Sequence, residues 1–180
     1  MMLWNRVAAN RRHSKIRRAV RTVRRRDPRR LRVLFVCVGN ACRSQMAEAF
    51  ANYYGQGLLA AESAGLRPAA QIPRSTRQVM EERGISLAYH YTKDLSAVSL
   101  GSFDLIVNLS HLPAPVSKPV LRFPVPDPHG RPEEFHRAVR NMMEHLVETV
   151  LVELRGERDA WALGTPRPAA AGSLLSGKIM

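Results

Sequence analysis

Cysteine is scarce in this chain, which contains only two, Cys37 and Cys42, in 180 residues. Two cysteines five positions apart cannot supply the disulfide framework of a small secreted domain. The sequence also lacks any apolar run approaching the ~20 residues that a membrane-spanning helix needs, and its N-terminus lacks the apolar core of a secretory signal. We therefore expect a protein of the reducing cytoplasm without a transmembrane segment.

Acidic residues are nearly absent from the first thirty positions. The whole chain has a formal net charge of +13, and residues 1–30 hold twelve Lys and Arg against a single acid, Asp27. Apolar residues between Trp4 and Val23 are spaced as one stripe of a basic helix, which Asp27-Pro28 would end. Such a helix would make weak contacts with nucleic acid or an anionic membrane, or it would be a solvated extension without a partner. We expect residues 1–30 to form a flexible basic arm.

Residues 31–50 have the pattern of a strand, a tight loop and a helix. The run 31–36 is nearly all apolar, which is typical of a strand buried on both faces of a parallel sheet. Gly39 and Asn40 tolerate the positive φ angles that let successive backbone N–H groups turn toward one point. With a helix beginning after Ser44, the loop amides and the positive end of the helix dipole would form a cradle for an anion.

The spacing of Cys37 and Arg43 indicates a reaction at this cradle. Cys37 ends the predicted strand, and Arg43 follows after five residues, just before the helix. The planar guanidinium of Arg43 can bind two oxygens of a tetrahedral oxyanion, and the same positive surroundings favour a thiolate at Cys37. A thiolate that faces phosphorus is a nucleophile. The alternative is a buried cysteine at a strand end and a solvated arginine.

The rest of the chain alternates between apolar strands and amphipathic helices. The further predicted strands are 58–62, 105–109 and 120–123, and the predicted helices are 73–83 and 133–154. This alternation indicates an α/β fold with a doubly wound, four-stranded parallel sheet. Asp127 follows the last strand between Pro126 and Pro128, which would hold its carboxyl group at the same sheet edge as Cys37. We expect a catalytic domain over 31–155 and a disordered tail over 156–180.

The segment Cys37-Val38-Gly39-Asn40-Ala41-Cys42-Arg43-Ser44 resembles the phosphate loop of the low-molecular-weight protein tyrosine phosphatases and of the arsenate reductases that share their fold. The segments Ser63-Ala64-Gly65, 103–107 and Asp127-Pro128 follow in that family's order, so the resemblance covers about 31–154. It implies a flavodoxin-like layered fold with four strands. The catalytic residues that it implies are Cys37, Arg43 and Asp127. The phosphate-binding residues that it implies are Val38, Gly39, Asn40, Ala41, Cys42 and Arg43, supported by Ser44 and Ser63.

The resemblance implies a cysteine-dependent phosphatase for a phosphorylated protein or a small aryl phosphate. Cys37 would attack phosphorus to form a thiophosphate intermediate, while Arg43 and the loop amides bind the equatorial oxygens. Asp127 would protonate the leaving oxygen and then deprotonate the hydrolytic water. We expect no cofactor and no metal, because Arg43 and the amides supply the positive field. Cys42 either closes a protective disulfide onto Cys37 or is a small packed residue.

Two other functions stay open. An arsenate reductase is favoured by Gln45-Met46-Ala47-Glu48, which is closer to the reductases, and by four residues at positions that hold potassium in some of them: Asn40, Glu48, Ser63 and Asp94. The segment 109–120 lacks the two cysteines of the thioredoxin-coupled mechanism, so this reductase would need an external small thiol. The other function is RNA or membrane binding through the arm, with a loop that senses an oxyanion. The phosphatases have an aromatic residue where this chain has His129. This departure weakens the expectation of a preference for phosphotyrosine.

Overall fold

The computed structural model of the protein describes residues 2–24, 30–116, 118 and 120–162. These residues form four α-helices, four β-strands and two 3₁₀ turns. In chain order the helices and strands are α1 (Met2–Arg24), β1 (Leu31–Cys37), α2 (Arg43–Tyr54), β2 (Leu59–Gly65), α3 (Arg74–Glu81), β3 (Leu105–Asn108), β4 (Val120–Arg122) and α4 (Glu133–Ala162). The 3₁₀ turns, Leu95–Ala97 and Leu100–Ser102, lie between α3 and β3.

The four strands form one parallel sheet in the order β2-β1-β3-β4. At the carboxyl end of β1, Cys37 is paired with Gly65 of β2, and Val36 with Asn108 of β3. The chain adds β2 on one side of β1 and β3 on the other, and ligands of such sheets bind beyond the strand ends where this reversal occurs. The predicted four-stranded parallel α/β fold is therefore confirmed, and its switch point lies at Cys37.

Both faces of β1 are buried, which explains why nearly all of its residues are apolar. Val33 and Phe35 belong to the larger core cluster, to which all four helices contribute. Leu34 and Val36 belong to a smaller cluster on the other side of the strand, together with Phe103 and residues near the 3₁₀ turns. The two clusters hold the end of β1, and hence Cys37, in a fixed position.

The first helix differs from the expectation of a flexible arm. Ile16 and Val20 of α1 are buried in the larger core cluster. On the same helix, His13 Nε2 lies 2.8 Å from Glu153 Oε1 of α4, and Arg17 Nε donates to the same oxygen at 3.2 Å. An apolar stripe suits a lipid surface and a neighbouring helix equally well, and here its part from Ile16 to Val23 packs against the core. That part of the stripe is therefore not available for the nucleic-acid or membrane contacts considered above.

The C-terminal boundary also differs from the prediction. Helix α4 continues to Ala162, so residues 156–162 of the expected disordered tail are helical. The remainder of that tail, 163–180, lies outside the described residues, as do residues 25–29 of the expected arm. No helix in the described ranges is both long and apolar enough to span a bilayer.

Ser63-Ala64-Gly65, which follows the predicted strand 58–62, is part of β2 and forms its end. These three residues pair with Phe35, Val36 and Cys37 of β1. Their small size has a reason in packing: a Cβ atom added to Gly65 would lie 2.9 Å from both Asn40 Cβ and the Val38 carbonyl oxygen. Small residues such as these are common in turns, but here they lie in a strand. Their small size lets the loop after β1 approach that strand closely.

Candidate active site

Cys37 and Ser44 meet at the mouth of the loop that joins β1 to α2. Cys37 is the last residue of β1 and Ser44 lies in the first turn of α2, and both are buried. Cys37 Sγ is 3.0 Å from Ser44 Oγ. A hydroxyl at this distance can donate a hydrogen bond to a thiolate, so Ser44 can stabilise Cys37 both as nucleophile and as leaving group.

The loop backbone leaves its amide groups free. The carbonyl oxygens of Cys37, Val38 and Gly39 accept hydrogen bonds from the N–H groups of Leu66, Arg67 and Ala69 at 2.9–3.0 Å. By contrast, we find no hydrogen bond from the N–H groups of residues 38–42 to any other described residue. Free N–H groups next to the N-terminus of α2 are the usual binding elements for an anion.

Asn40 fixes the shape of this loop. Its φ angle is 48°, and it is the non-glycine residue in the described part of the chain with a positive φ. The buried amide nitrogen donates to Ser44 Oγ at 2.9 Å and to Ser63 Oγ at 2.8 Å, and its oxygen accepts from the Lys93 N–H at 2.7 Å. Ser63 in turn donates to Glu48. Asn40 therefore joins the loop to α2, to β2 and to the segment after α3.

Arg43 connects the loop to the segment that carries Asp127. Its guanidinium is buried, its Nη1 donates to the Val125 carbonyl oxygen at 3.0 Å, and its Nη2 forms an ion pair with Asp127 Oδ2. The buried Nε atom has no hydrogen-bond partner in the described part of the chain. The other carboxylate oxygen of Asp127 accepts from the His129 N–H at 3.1 Å. The structure thus brings the predicted arginine and the predicted acid into direct contact.

Cys42, the second cysteine of the loop, lies in a different environment. Burial raises its pKa to about 12, although a hydrogen bond from the Thr76 hydroxyl acts in the opposite direction. It is therefore a neutral thiol at physiological pH. Thr76 Oγ1 also lies 3.0 Å from Nδ1 of the buried His136, whose Nε2 is 3.1 Å from Ser75 Oγ. The sequence did not point to Thr76 or His136.

Gln45 and His90 support the loop, and their role was not predicted. Gln45 Nε2 donates to the Asn40 carbonyl at 2.9 Å and to the Tyr91 carbonyl at 2.8 Å, and its Oε1 is 2.8 Å from His90 Nδ1. Burial, reinforced by the charges of Lys93 and Arg77, lowers the pKa of His90. The residue pair was missed because it is far apart in sequence and meets only in the folded chain.

The neighbouring aromatic residues are exposed. Tyr89 is 97% exposed and Tyr91 is 66% exposed. The Tyr91 ring lies 4.9 Å from the Lys93 ammonium group. Because Tyr91 and Lys93 both have backbone contacts with the loop network, their side chains lie on the surface beside the site.

The four positions associated with potassium do not present an open set of oxygen ligands. Asn40 Oδ1 accepts from the Lys93 N–H, and Asp94 Oδ1 accepts from the Ser96 N–H. Ser63 is hydrogen-bonded to Asn40 and Glu48, and burial raises the pKa of Glu48. Each of these four side chains thus already makes a hydrogen bond within the protein. Among the described residues, no group of three His, Cys, Asp or Glu side chains could hold a metal.

Comparisons with known proteins agree with this geometry. The family model described as low molecular weight phosphotyrosine protein phosphatase matches residues 32–114. A glutaredoxin arsenate reductase of Synechocystis sp. is 31% identical over 129 residues, which cover 68% of this chain and 98% of the relative. A protein-arginine-phosphatase of Geobacillus stearothermophilus is 28% identical over 145 residues, which cover 71% of this chain and 98% of the relative. The structure of a low molecular weight protein tyrosine phosphatase from T. tengcongensis superposes with a TM-score of 0.61 at 26% identity. The superposition covers 68% of this chain and 99% of that structure.

Proposed function

The chain belongs to the low-molecular-weight phosphotyrosine protein phosphatase family and is an enzyme, and from this we propose that it hydrolyses phosphotyrosine or a related aryl phosphate. The phosphate would come from a phosphorylated protein or a small ester. Both cysteines are free thiols, which suits the reducing cytoplasm that we propose as its location.

The observation that carries this proposal is the state of the Arg43 guanidinium. Its buried Nε has no partner in the described part of the chain, and its Nη2 is paired with the carboxylate of Asp127. A buried guanidinium N–H without a partner is costly, and two oxygens of a tetrahedral oxyanion can satisfy Nε and Nη2 together. A phosphate bound in this way would take the place of the Asp127 carboxylate on Nη2. It would leave Asp127 beside the leaving group, where a phosphatase needs its acid.

In the first step, the sulfur of Cys37 bonds to phosphorus while the bond between phosphorus and the leaving oxygen breaks. Arg43 and the free N–H groups of 38–42 stabilise the charge on the three remaining oxygens. Asp127 in its acid form gives its proton to the leaving oxygen, so an alcohol departs and a thiophosphate remains on Cys37.

In the second step, water attacks the thiophosphate and the bond between sulfur and phosphorus breaks. Asp127, now a carboxylate, takes the proton from that water and returns to its acid form. Phosphate is released, and the thiolate of Cys37 is stabilised as it departs by a hydrogen bond from Ser44. Every group in this cycle comes from the chain or from water.

An arsenate reductase is the second candidate, supported by the relative that is 31% identical. Arsenate can bind to Cys37 with loss of water, and another thiol must then attack the sulfur so that As(V) is reduced to As(III) and a disulfide forms. The chain has only one other cysteine, Cys42, and its raised pKa keeps it a buried neutral thiol. This candidate therefore requires an external small thiol as the second electron source.

One experiment compares the two reactions. Steady-state hydrolysis of p-nitrophenyl phosphate, phosphotyrosine and phosphoarginine is measured without reductant. Arsenate-dependent NADPH oxidation is measured in parallel with thioredoxin, and with a low-molecular-weight thiol and glutaredoxin. We expect turnover of the aryl esters without reductant and no thioredoxin-dependent arsenate reduction. Arsenate-dependent NADPH oxidation together with negligible hydrolysis would replace the phosphatase by the reductase.

The Cys37→Ser variant is the control for both arms of this experiment. A serine hydroxyl is a much weaker nucleophile, so turnover should be lost. Phosphate should still bind, because Arg43 and the loop amides are unchanged. Hydrolysis at the wild-type rate in this variant would contradict the covalent mechanism whichever substrate is used.

A further inference from the structure

A cavity separate from the catalytic loop lies between α1 and the strands β3 and β4. Its volume is about 510 Å³, within the range of about 300–1,000 Å³ that is typical of small-molecule sites. Its lining includes residues 103–105 at the amino end of β3 and Val120–Arg122 of β4. Neither Cys37 nor any other residue of the loop after β1 belongs to the lining, so the two sites are separate.

Helix α1 forms one wall of this cavity, and the family model begins only after it, at residue 32. The helix is anchored by Ile16 and Val20 in the core and by the contacts of His13 and Arg17 with α4. Its residues Lys15 and Arg18 line the cavity. Helix α1, which lies outside the residues that the family model matches, therefore closes one side of the cavity.

The lining is apolar with a basic rim. Its apolar residues are Ala19, Val23, Phe103, Leu105, Val120 and Leu121. The basic residues of the lining are Lys15, Arg18, Lys118 and Arg122, and its single acidic residue is Asp104.

Two of these cations are free to bind a ligand. Lys118 is held by the carbonyl oxygens of Gly101 and Phe103, at 2.8 and 2.7 Å. The Asp104 carboxylate accepts from the Arg32 N–H at 2.8 Å. In contrast, we find no ion-pair or hydrogen-bond partner for the side chains of Lys15 and Arg18 among the residues that the structure describes. An apolar cavity with unpaired cations at its edge is complementary to an apolar tail that carries an anionic head.

We propose that this cavity binds a small amphipathic anion, with the tail against β3 and β4 and the head at Lys15 and Arg18. Such a ligand would also bridge α1 to the sheet and so stabilise the docked helix. The site is independent of the proposed reaction, because none of its lining residues belongs to the loop of Cys37 or to the segment of Asp127.

Isothermal titration of the full chain with sodium dodecanoate, below its micellar concentration, tests this proposal. We expect saturable binding of one molecule per chain. Dodecyltrimethylammonium, which has the same tail and the opposite charge, should bind at least about tenfold more weakly. Arg18→Glu should weaken dodecanoate binding by at least about tenfold, because a repulsive charge replaces the attractive one. Arg155→Glu, the same charge reversal at an exposed position outside the lining, should change it less than about twofold.

Three results would overturn the proposal. The first is the absence of saturable dodecanoate binding. The second is equal binding by the cationic analogue or by the Arg18→Glu variant, provided that its melting temperature shows an intact fold. The third is displacement of dodecanoate by inorganic phosphate that also inhibits the enzyme, which would place the anion in the catalytic loop.

Discussion

Asn40 combines a rare backbone conformation with three side-chain hydrogen bonds. Its positive φ lies in the left-handed region, which costs an alanine roughly 1 kcal/mol or more and costs a glycine almost nothing. The bonds to Ser44, Ser63 and Lys93 each contribute about 1 kcal/mol in a typical protein. The two effects can be separated by two substitutions. Asn40→Ala loses the three hydrogen bonds and makes the positive φ unfavourable, whereas Asn40→Gly loses only the hydrogen bonds.

We expect both Asn40→Ala and Asn40→Gly to lower kcat on an aryl phosphate, by on the order of tenfold or more, since each loses the bonds that orient the loop. The alanine variant should have the lower kcat of the two, because the positive φ is also unfavourable for alanine. Steady-state kinetics and thermal melts of both variants measure the difference. A glycine variant with wild-type kcat would mean that the amide bonds do not matter for turnover.

Asp127 competes with an incoming oxyanion for Arg43 Nη2. In Asp127→Asn the carboxylate charge is gone, so we expect vanadate to bind several-fold more tightly, as the inhibition constant would show. Turnover of phenyl phosphate should fall on the order of a hundredfold, and that of p-nitrophenyl phosphate less, because the poorer leaving group depends more on an acid. Equal losses on both esters would show that Asp127 only shapes the loop.

At the scale of elements, α3 and α4 are joined beneath the loop through His136. Its ring contacts Ser75 and Thr76 of α3. Burial lowers the pKa of His136, although the charges of Asp127 and Glu133 act in the opposite direction. The unfolded chain therefore binds a proton near pH 6.5 that the folded chain binds only at lower pH. The resulting stability is fully present above pH 6.5 and is lost as the pH falls through the folded pKa.

We expect the free energy of unfolding to decrease between pH 7 and pH 5.5, with a smaller decrease in His136→Asn. Asparagine does not titrate, and its amide can keep one bond to Thr76. One titrating proton changes the slope of the free energy of unfolding against pH by at most about 1.4 kcal/mol per pH unit. Urea denaturation at each pH measures it, with His111→Asn in the exposed loop after β3 as the matched control. Identical pH dependence in wild type and His136→Asn would show that His136 is not buried as a neutral ring.

The elements that local patterns specify were predicted, and those that distant contacts specify were not. The apolar run of β1 and the residues Gly39 and Asn40 carry their own conformational preferences, so the strand and loop were recognisable. The end of β2 was not, because Ser63-Ala64-Gly65 is small for a packing reason that only the approach of Asn40 reveals. The contacts of Gln45 with His90, and of Thr76 with His136, likewise depend on tertiary structure.

At the scale of the whole molecule, α1 is where sequence and structure differ most. Residues 1–30 carry most of the excess positive charge, which in the sequence suggests a solvated arm. The same segment has an apolar stripe, and the stripe does not reveal whether lipid, solvent or another helix covers it. The structure buries its part from Ile16 to Val23 against the core, so the basic residues between Arg12 and Arg21 lie on a helix that packs on the domain.

The docked position of α1 leads to a prediction about stability rather than catalysis. Val20 is completely buried, and Val20→Ala removes apolar contacts and leaves a cavity, so we expect a loss of about 1–3 kcal/mol in the free energy of unfolding. Val152→Ala makes the same chemical change on α4 at a side chain that is 59% exposed, and should change stability by about 0.5 kcal/mol or less. Both variants should keep the wild-type kcat, because neither residue is part of the catalytic loop. Chemical denaturation and steady-state kinetics measure the two quantities, and equal stability of the two variants would show that α1 does not pack on the domain in solution.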